Sequence, residues 1–171
     1  MLKKKKHWGI MYLNFLMFFL TLTLFGGSGI SLKLFGAVPI LILSLLVSYS
    51  SFNSLTASAA VGFISGAALD SISADSYCFN TLALLILAVG ANLLADYVFN
   101  RNLKATIVLC FISAVLYYIF YWLLFIAFSL PPKESVTYFI SCVLPSCLYT
   151  AVHTIPFYFI YKFFKKIKDE Y

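Results

Sequence analysis

Apolar residues fall into six blocks along the chain, at 9–25, 34–49, 53–69, 79–99, 105–130 and 136–164. Each approaches the length that a helix needs to cross the hydrocarbon of a bilayer, about 20 residues. The first block is entered through Trp8 and closed by Gly26-Gly27-Ser28-Gly29. Pro131-Pro132 parts the fifth from the sixth, because proline cannot continue a helix. Pro39 lies near the start of the second block, and Pro145 and Pro156 are expected to kink the sixth. The third block is short and rich in Ser, Ala and Gly, the least hydrophobic of the set. The polar gaps are too small for a folded soluble domain. The pattern therefore predicts one polytopic domain over residues 1–171, an all-α integral membrane protein of six transmembrane helices.

Charge sets the orientation. With the N-terminus inside, ten of the 12 basic residues fall on the cytoplasmic side, namely Lys3 to Lys6, Arg101, Lys104, Lys162, Lys165, Lys166 and Lys168. Only Lys33 and Lys133 fall outside. If the third block did not span, the split would become five inside and seven outside, which the positive-inside rule disfavours. Six spans with both termini in the cytoplasm is the consistent reading. The block at 9–25 is long for a signal-peptide core and no A-x-A site follows it, so it is read as a retained span. Composition agrees, with 63% of the 171 residues hydrophobic and 11% charged. The net charge of +6 does not point to nucleic acid, because the lysines cluster beside apolar blocks, where they meet anionic lipid headgroups.

Few residues carry candidate chemistry. Cys78, Cys110, Cys142 and Cys147 form no CxxC pair, and only His7 and His153 could join them, so no metal site or redox motif assembles. GxxxxGK[ST], HExxH and GxSxG are all missing, and no cofactor or enzymatic activity is expected. The informative pattern is a four-residue repeat. Ser54, Ser58, Gly62, Gly66 and Asp70 share one stripe of the third helix, and Ala88, Asn92 and Asp96 share one stripe of the fourth. Small residues so arranged let a second helix approach closely, where lipid leaves little hydrophobic drive for association. Packing is the ordinary role of such a stripe; ligand or ion binding at Asp70 or Asp96 is the alternative, and both carboxylates lie close enough to a boundary to be solvated. His153 lies inside the sixth block, either as a functional ionisable group or as a neutral imidazole bonded to the carbonyl that Pro156 frees. Tyr117, Tyr118, Tyr121 and Trp122 sit near the middle of the fifth block, too deep for an interfacial belt. They either line a pocket for a flat ligand or fill a core with each hydroxyl finding an internal acceptor.

The run Val61-Gly62-Phe63-Ile64-Ser65-Gly66-Ala67-Ala68-Leu69-Asp70, followed by Phe79-Asn80-Thr81-Leu82-Ala83, resembles the rod shape-determining protein MreD family. That family has a GFxxGxxxD-like end to its third helix, a short external loop, and a fourth helix opening with a small or polar residue and aliphatics. The likeness covers nearly the whole chain in layout and about thirty residues in motif. The Ser48-Tyr49-Ser50-Ser51 run before the third helix departs from it. The resemblance implies a non-enzymatic component of the bacterial lateral-wall elongation complex, in the cytoplasmic membrane. Its implied partners are an MreC-like protein, a RodA-type glycosyltransferase, a class B penicillin-binding protein and, indirectly, MreB filaments. Gly62, Gly66 and Asp70 match the motif and read as packing and loop-setting residues. In layout the chain is also similar to the substrate-binding subunits of energy-coupling-factor vitamin importers. Those carry an AxxxA-type contact surface on the first helix, whereas residues 9–20 here are bulky, with Phe and Met and no small-residue stripe.

Overall fold

The computed structural model describes residues 40–72, 78–97, 102–126, 129 and 131–169, with the side chains of 132 and 164–169 left aside. The expected first span at 9–25 lies outside the described residues. Those described are helical: α1 (Leu41–Ser50), α2 (Leu55–Ile72), α3 (Phe79–Tyr97), α4 (Leu103–Tyr121), α5 (Pro132–Tyr138) and α6 (Leu144–Asp169). A π-helical turn, Trp122–Ile126, extends α4, and a second, Phe139–Val143, joins α5 to α6. Four stretches are long and apolar enough to cross a membrane, namely Leu55–Ile72, Phe79–Tyr97, Leu103–Ile126 and Lys133–Phe163. The Ser/Ala/Gly-rich third block thus folds as an unbroken helix of 18 residues, about 27 Å long. By contrast, α1 has only ten residues, about 15 Å, roughly half the hydrocarbon thickness.

Short as it is, α1 sits at the centre. All ten of its residues are buried, among α2, α3, α4 and α6. A hydroxyl is costly to leave unpaired in hydrocarbon, and Ser44 and Ser48 are paired here, whereas Ser50 Oγ is buried without a described partner. Ser48 donates to the carbonyl of Ser44 at 2.8 Å, and Ser44 donates across to the carbonyl of Thr150 on α6, also at 2.8 Å. The Ile40 amide, at the entry to α1, donates to Thr150 Oγ1 at 3.1 Å. Around these contacts Leu43, Leu46, Val47, Leu84, Leu109, Cys110 and Cys147 form the main apolar core.

The prolines act locally. Pro131 caps α5 and Pro132 begins it, where the missing amide costs nothing. The expected kink at Pro145 is met by a different device: the π turn Phe139–Val143 ends immediately before α6, widening the helix where a proline ring would strike the carbonyl four residues earlier. Pro156 lies inside α6, which continues through it.

The tightest pairing is α2 against α3, antiparallel. A methyl group built on Gly66 would collide with the Thr81 backbone and come within 2.5 Å of the Asn80 carbonyl oxygen. On Gly62 it would lie 2.8 Å from Ala88 Cβ and 2.9 Å from the Leu84 carbonyl oxygen. Gly90, on α3, faces open space. Backbone cannot yield as a side chain can, so the three positions should differ sharply. Gly66→Ala should cost about 3 kcal/mol or more and Gly62→Ala about 1–2 kcal/mol. Gly90→Ala should gain up to about 1 kcal/mol from helix propensity. Thermal unfolding of the three variants in one mild detergent checks this order.

Candidate functional site

The α2–α3 hairpin gathers most of the polar side chains expected to matter. At its outer end, the turn into α3 passes through Cys78, whose φ of 62° is rare outside glycine. The residue preceding a helix normally caps it with a side-chain oxygen. Cysteine supplies none, and Asp70 of α2 does so instead. Its carboxylate accepts from the Asn80 amide at 3.1 Å, the Thr81 amide at 2.8 Å and the Thr81 hydroxyl at 2.5 Å. A negative charge at the start of α3 also opposes the positive end of the helix dipole. Asp70 is half-buried and engaged, rather than simply solvated at a helix end.

From this cap the network runs inward. The Asn80 side chain, buried, accepts through Oδ1 from the Tyr117 hydroxyl at 2.5 Å, so α4 is tied to the hairpin. Tyr121 stacks parallel to Tyr117, with centroids 6.5 Å apart, and also touches Phe79 and Phe125. Phe79 is the first residue of α3. The aromatic group is therefore level with the start of α3. Tyr117 fills a core position with an internal acceptor; Tyr121 stays exposed. Trp122 donates its indole N–H to the Ser135 carbonyl at 3.2 Å and packs edge-on against Phe139.

The other end of the hairpin is closed by Asn92. Its Nδ2 lies 2.6 Å from the Ser50 carbonyl, 2.9 Å from the Asn53 carbonyl and 3.3 Å from Ser58 Oγ. Ser58 in turn donates to the Ser54 carbonyl at 3.0 Å. One carboxamide thus joins the end of α1, the following turn and α2. The two four-residue stripes meet as Ser58 with Asn92, Gly62 with Ala88, and Asp70 with Asn80 and Thr81. Asp96 is exposed. The small-residue stripe is thereby occupied within the chain, by α3, and is not open to a single-span partner.

His153 stands apart from this network. Its Nδ1 is 2.8 Å from the Tyr149 carbonyl oxygen, and its ring meets the Tyr149 ring edge-on at 4.5 Å. The carbonyl that Pro156 frees is that of Val152, so the imidazole takes a different acceptor from the one expected. Among the described residues no group of three or more His, Cys, Asp or Glu side chains could hold a metal ion.

Two features that matter escaped the sequence reading. Asn80 and Thr81 receive Asp70, signalled only by two polar residues opening an apolar helix. Thr150, whose carbonyl also lies 3.9 Å from Cys110 Sγ, gave no signal at all.

The described chain is all-helical with several helices able to span a bilayer, which defines an α-helical membrane protein. No protein-family model, curated protein or solved structure matches it.

The cap makes a graded prediction. Asp70→Ala should cost about 2 kcal/mol, and Asp70→Asn less, since one oxygen can still accept. Tyr117→Phe strands the buried Asn80 acceptor and should cost about 1–3 kcal/mol, while Tyr121→Phe should be near neutral. Denaturation midpoints of the four variants in detergent decide it.

Proposed function

We propose that the protein is a non-enzymatic scaffold of the bacterial lateral cell-wall elongation complex, with six spans and both termini in the cytoplasm. What carries the reading is the role of the motif residues. Gly62, Gly66 and Asp70, which match the MreD-like pattern, are used to lock α2 onto α3. A chain that spends its polar groups on holding helices together presents partners with a shaped apolar surface. Phe63, Ile64, Leu82 and Ile86, all at least half exposed, show such a surface on the hairpin. The basic residues flanking the first and last blocks fit anionic lipid at the inner leaflet and set the orientation.

In this reading the protein sits in the bacterial cytoplasmic membrane and organises an MreC-like protein with a RodA-type glycosyltransferase and a class B penicillin-binding protein. MreB filaments are reached through those partners. The test is co-purification in mild detergent from its own host, with mass spectrometry of what is recovered. Wall-synthesis proteins enriched at least about tenfold over an unrelated tagged membrane protein are the expected result. A paired ATPase with its membrane coupling protein would overturn the reading and make the chain a vitamin-binding subunit.

A further inference from the structure

The last turns of α6 change character where the bundle ends. Tyr158 and Tyr161, both buried, close its inner face. Tyr161 meets Tyr49 near the end of α1 at 5.7 Å, and Tyr158 meets Phe52 in the turn between α1 and α2 at 5.1 Å. That turn marks an edge of the bundle, yet α6 runs on through Asp169, eight residues and about 12 Å further. Past Tyr161 the helix is two-sided. By register Ile160, Phe163, Phe164 and Ile167 share one side, while Lys162, Lys165, Lys166 and Asp169 share the other, with Lys168 between them. The apolar side continues the outward face of α6, where Phe159 is 54% and Phe163 63% exposed.

The chain holds little to answer the basic side. Its six carboxylates are Asp70, Asp75, Asp96, Glu134, Asp169 and Glu170, and residues 1–39 contain none. Those residues bring Lys3 to Lys6 and Lys33 instead, so they cannot neutralise the lysines of α6 and are repelled by them. At this end of the bundle Asp96, on the last turn of α3, and the two acids of the segment itself stand against Lys104, Lys162, Lys165, Lys166 and Lys168. The apolar side sets a second condition. A helix standing straight out of the bilayer would carry Phe163 and Ile167 across a headgroup layer only about 5–8 Å deep and on into water.

We infer that the segment from Ile160 to Asp169 is an interfacial anchor for anionic phospholipid: its apolar side seats at the boundary between acyl chains and headgroups, and its lysines hold headgroup phosphates. The two sides select the occupant together. A free anion or a soluble acidic segment would satisfy the lysines and leave Phe163 and Ile167 bare. Hydrocarbon alone would take the apolar side and leave the charge unpaired. An anionic lipid surface offers both layers at once, at the depth where α6 leaves the bundle. The inference goes beyond the scaffold reading and stands without it, since it needs no partner protein.

To test it, the full chain with Cys78→Ser and Cys142→Ser is labelled with a polarity-sensitive fluorophore at Ile167→Cys or at Asp169→Cys. It is placed in nanodiscs of phosphatidylcholine, with or without an equal share of phosphatidylglycerol, and lipids with a nitroxide high on the acyl chain report contact with the leaflet. With phosphatidylglycerol present, the Ile167 label should be quenched at least about threefold more than the Asp169 label. That difference should fall at least about twofold in phosphatidylcholine alone, in about 1 M salt, and when Lys162, Lys165, Lys166 and Lys168 are all changed to glutamine. A label at Ile167 that is open to water in the anionic discs overturns the inference and leaves the segment to a soluble acidic partner. A label shielded from water but not quenched by lipid overturns it as well, because residues 1–39 or a second copy would then cover the apolar side. Quenching indifferent to phosphatidylglycerol also overturns it, since the lysines would have no part in the seating.

Discussion

Where α2 and α3 run side by side, one atom of side chain is too many. At Gly66 a Cβ would occupy the space of the Thr81 backbone, so the two helices are as close as main chains allow. In a bilayer this closeness matters more than in water. Lipid is as apolar as leucine, and helices gain from association chiefly through van der Waals contact and through polar groups that find each other. The hairpin uses both: glycines set the distance, and that distance brings the Asp70 carboxylate to the first amides of α3. Asn92 closes the opposite end on the carbonyls of Ser50 and Asn53.

The remaining helices are positioned from that pair. Asn80, held at the start of α3 beside the cap, receives the Tyr117 hydroxyl and so fixes α4. The central α1 is gripped on one side by Asn92, through the Ser50 carbonyl, and on the other by Thr150 of α6, through Ile40 and Ser44. A short helix carrying serines would be a poor lipid-facing element, and as the hub of the bundle it places the Ser44 and Ser48 hydroxyls on carbonyls, while Ser50 Oγ is buried without a described partner.

Much of this was legible in the sequence. Block lengths and prolines located the described helices, because hydrocarbon thickness and the missing proline amide act on the chain locally. The four-residue spacing of Ser58, Gly62, Gly66 and Asp70 identified a packing face for the same reason. What it could not identify was the face's partner, since spacing on one helix is silent about which helix answers it; α3 does, through Thr81, Ala88 and Asn92. The spacing of Tyr117 and Tyr121 was equally silent about their neighbours, Asn80 and Phe79 at the start of α3. Thr150 shows the limit most clearly. Its importance is a carbonyl and a hydroxyl placed against α1, a property of packing that no local pattern records.

The central claim is that Asp70 acts on the backbone of α3 as part of the hairpin lock. A double-mutant cycle between Asp70→Ala and Thr81→Ala, measured by reversible unfolding in detergent or bicelles, tests it most directly. If the carboxylate and the Thr81 hydroxyl stabilise each other, the two losses will fall short of additivity by about 1 kcal/mol or more. Strict additivity within about 0.3 kcal/mol, or an Asp70→Ala variant as stable as the parent chain, would contradict the account: the first removes the contact with the Thr81 hydroxyl, the second the cap on the Asn80 and Thr81 amides.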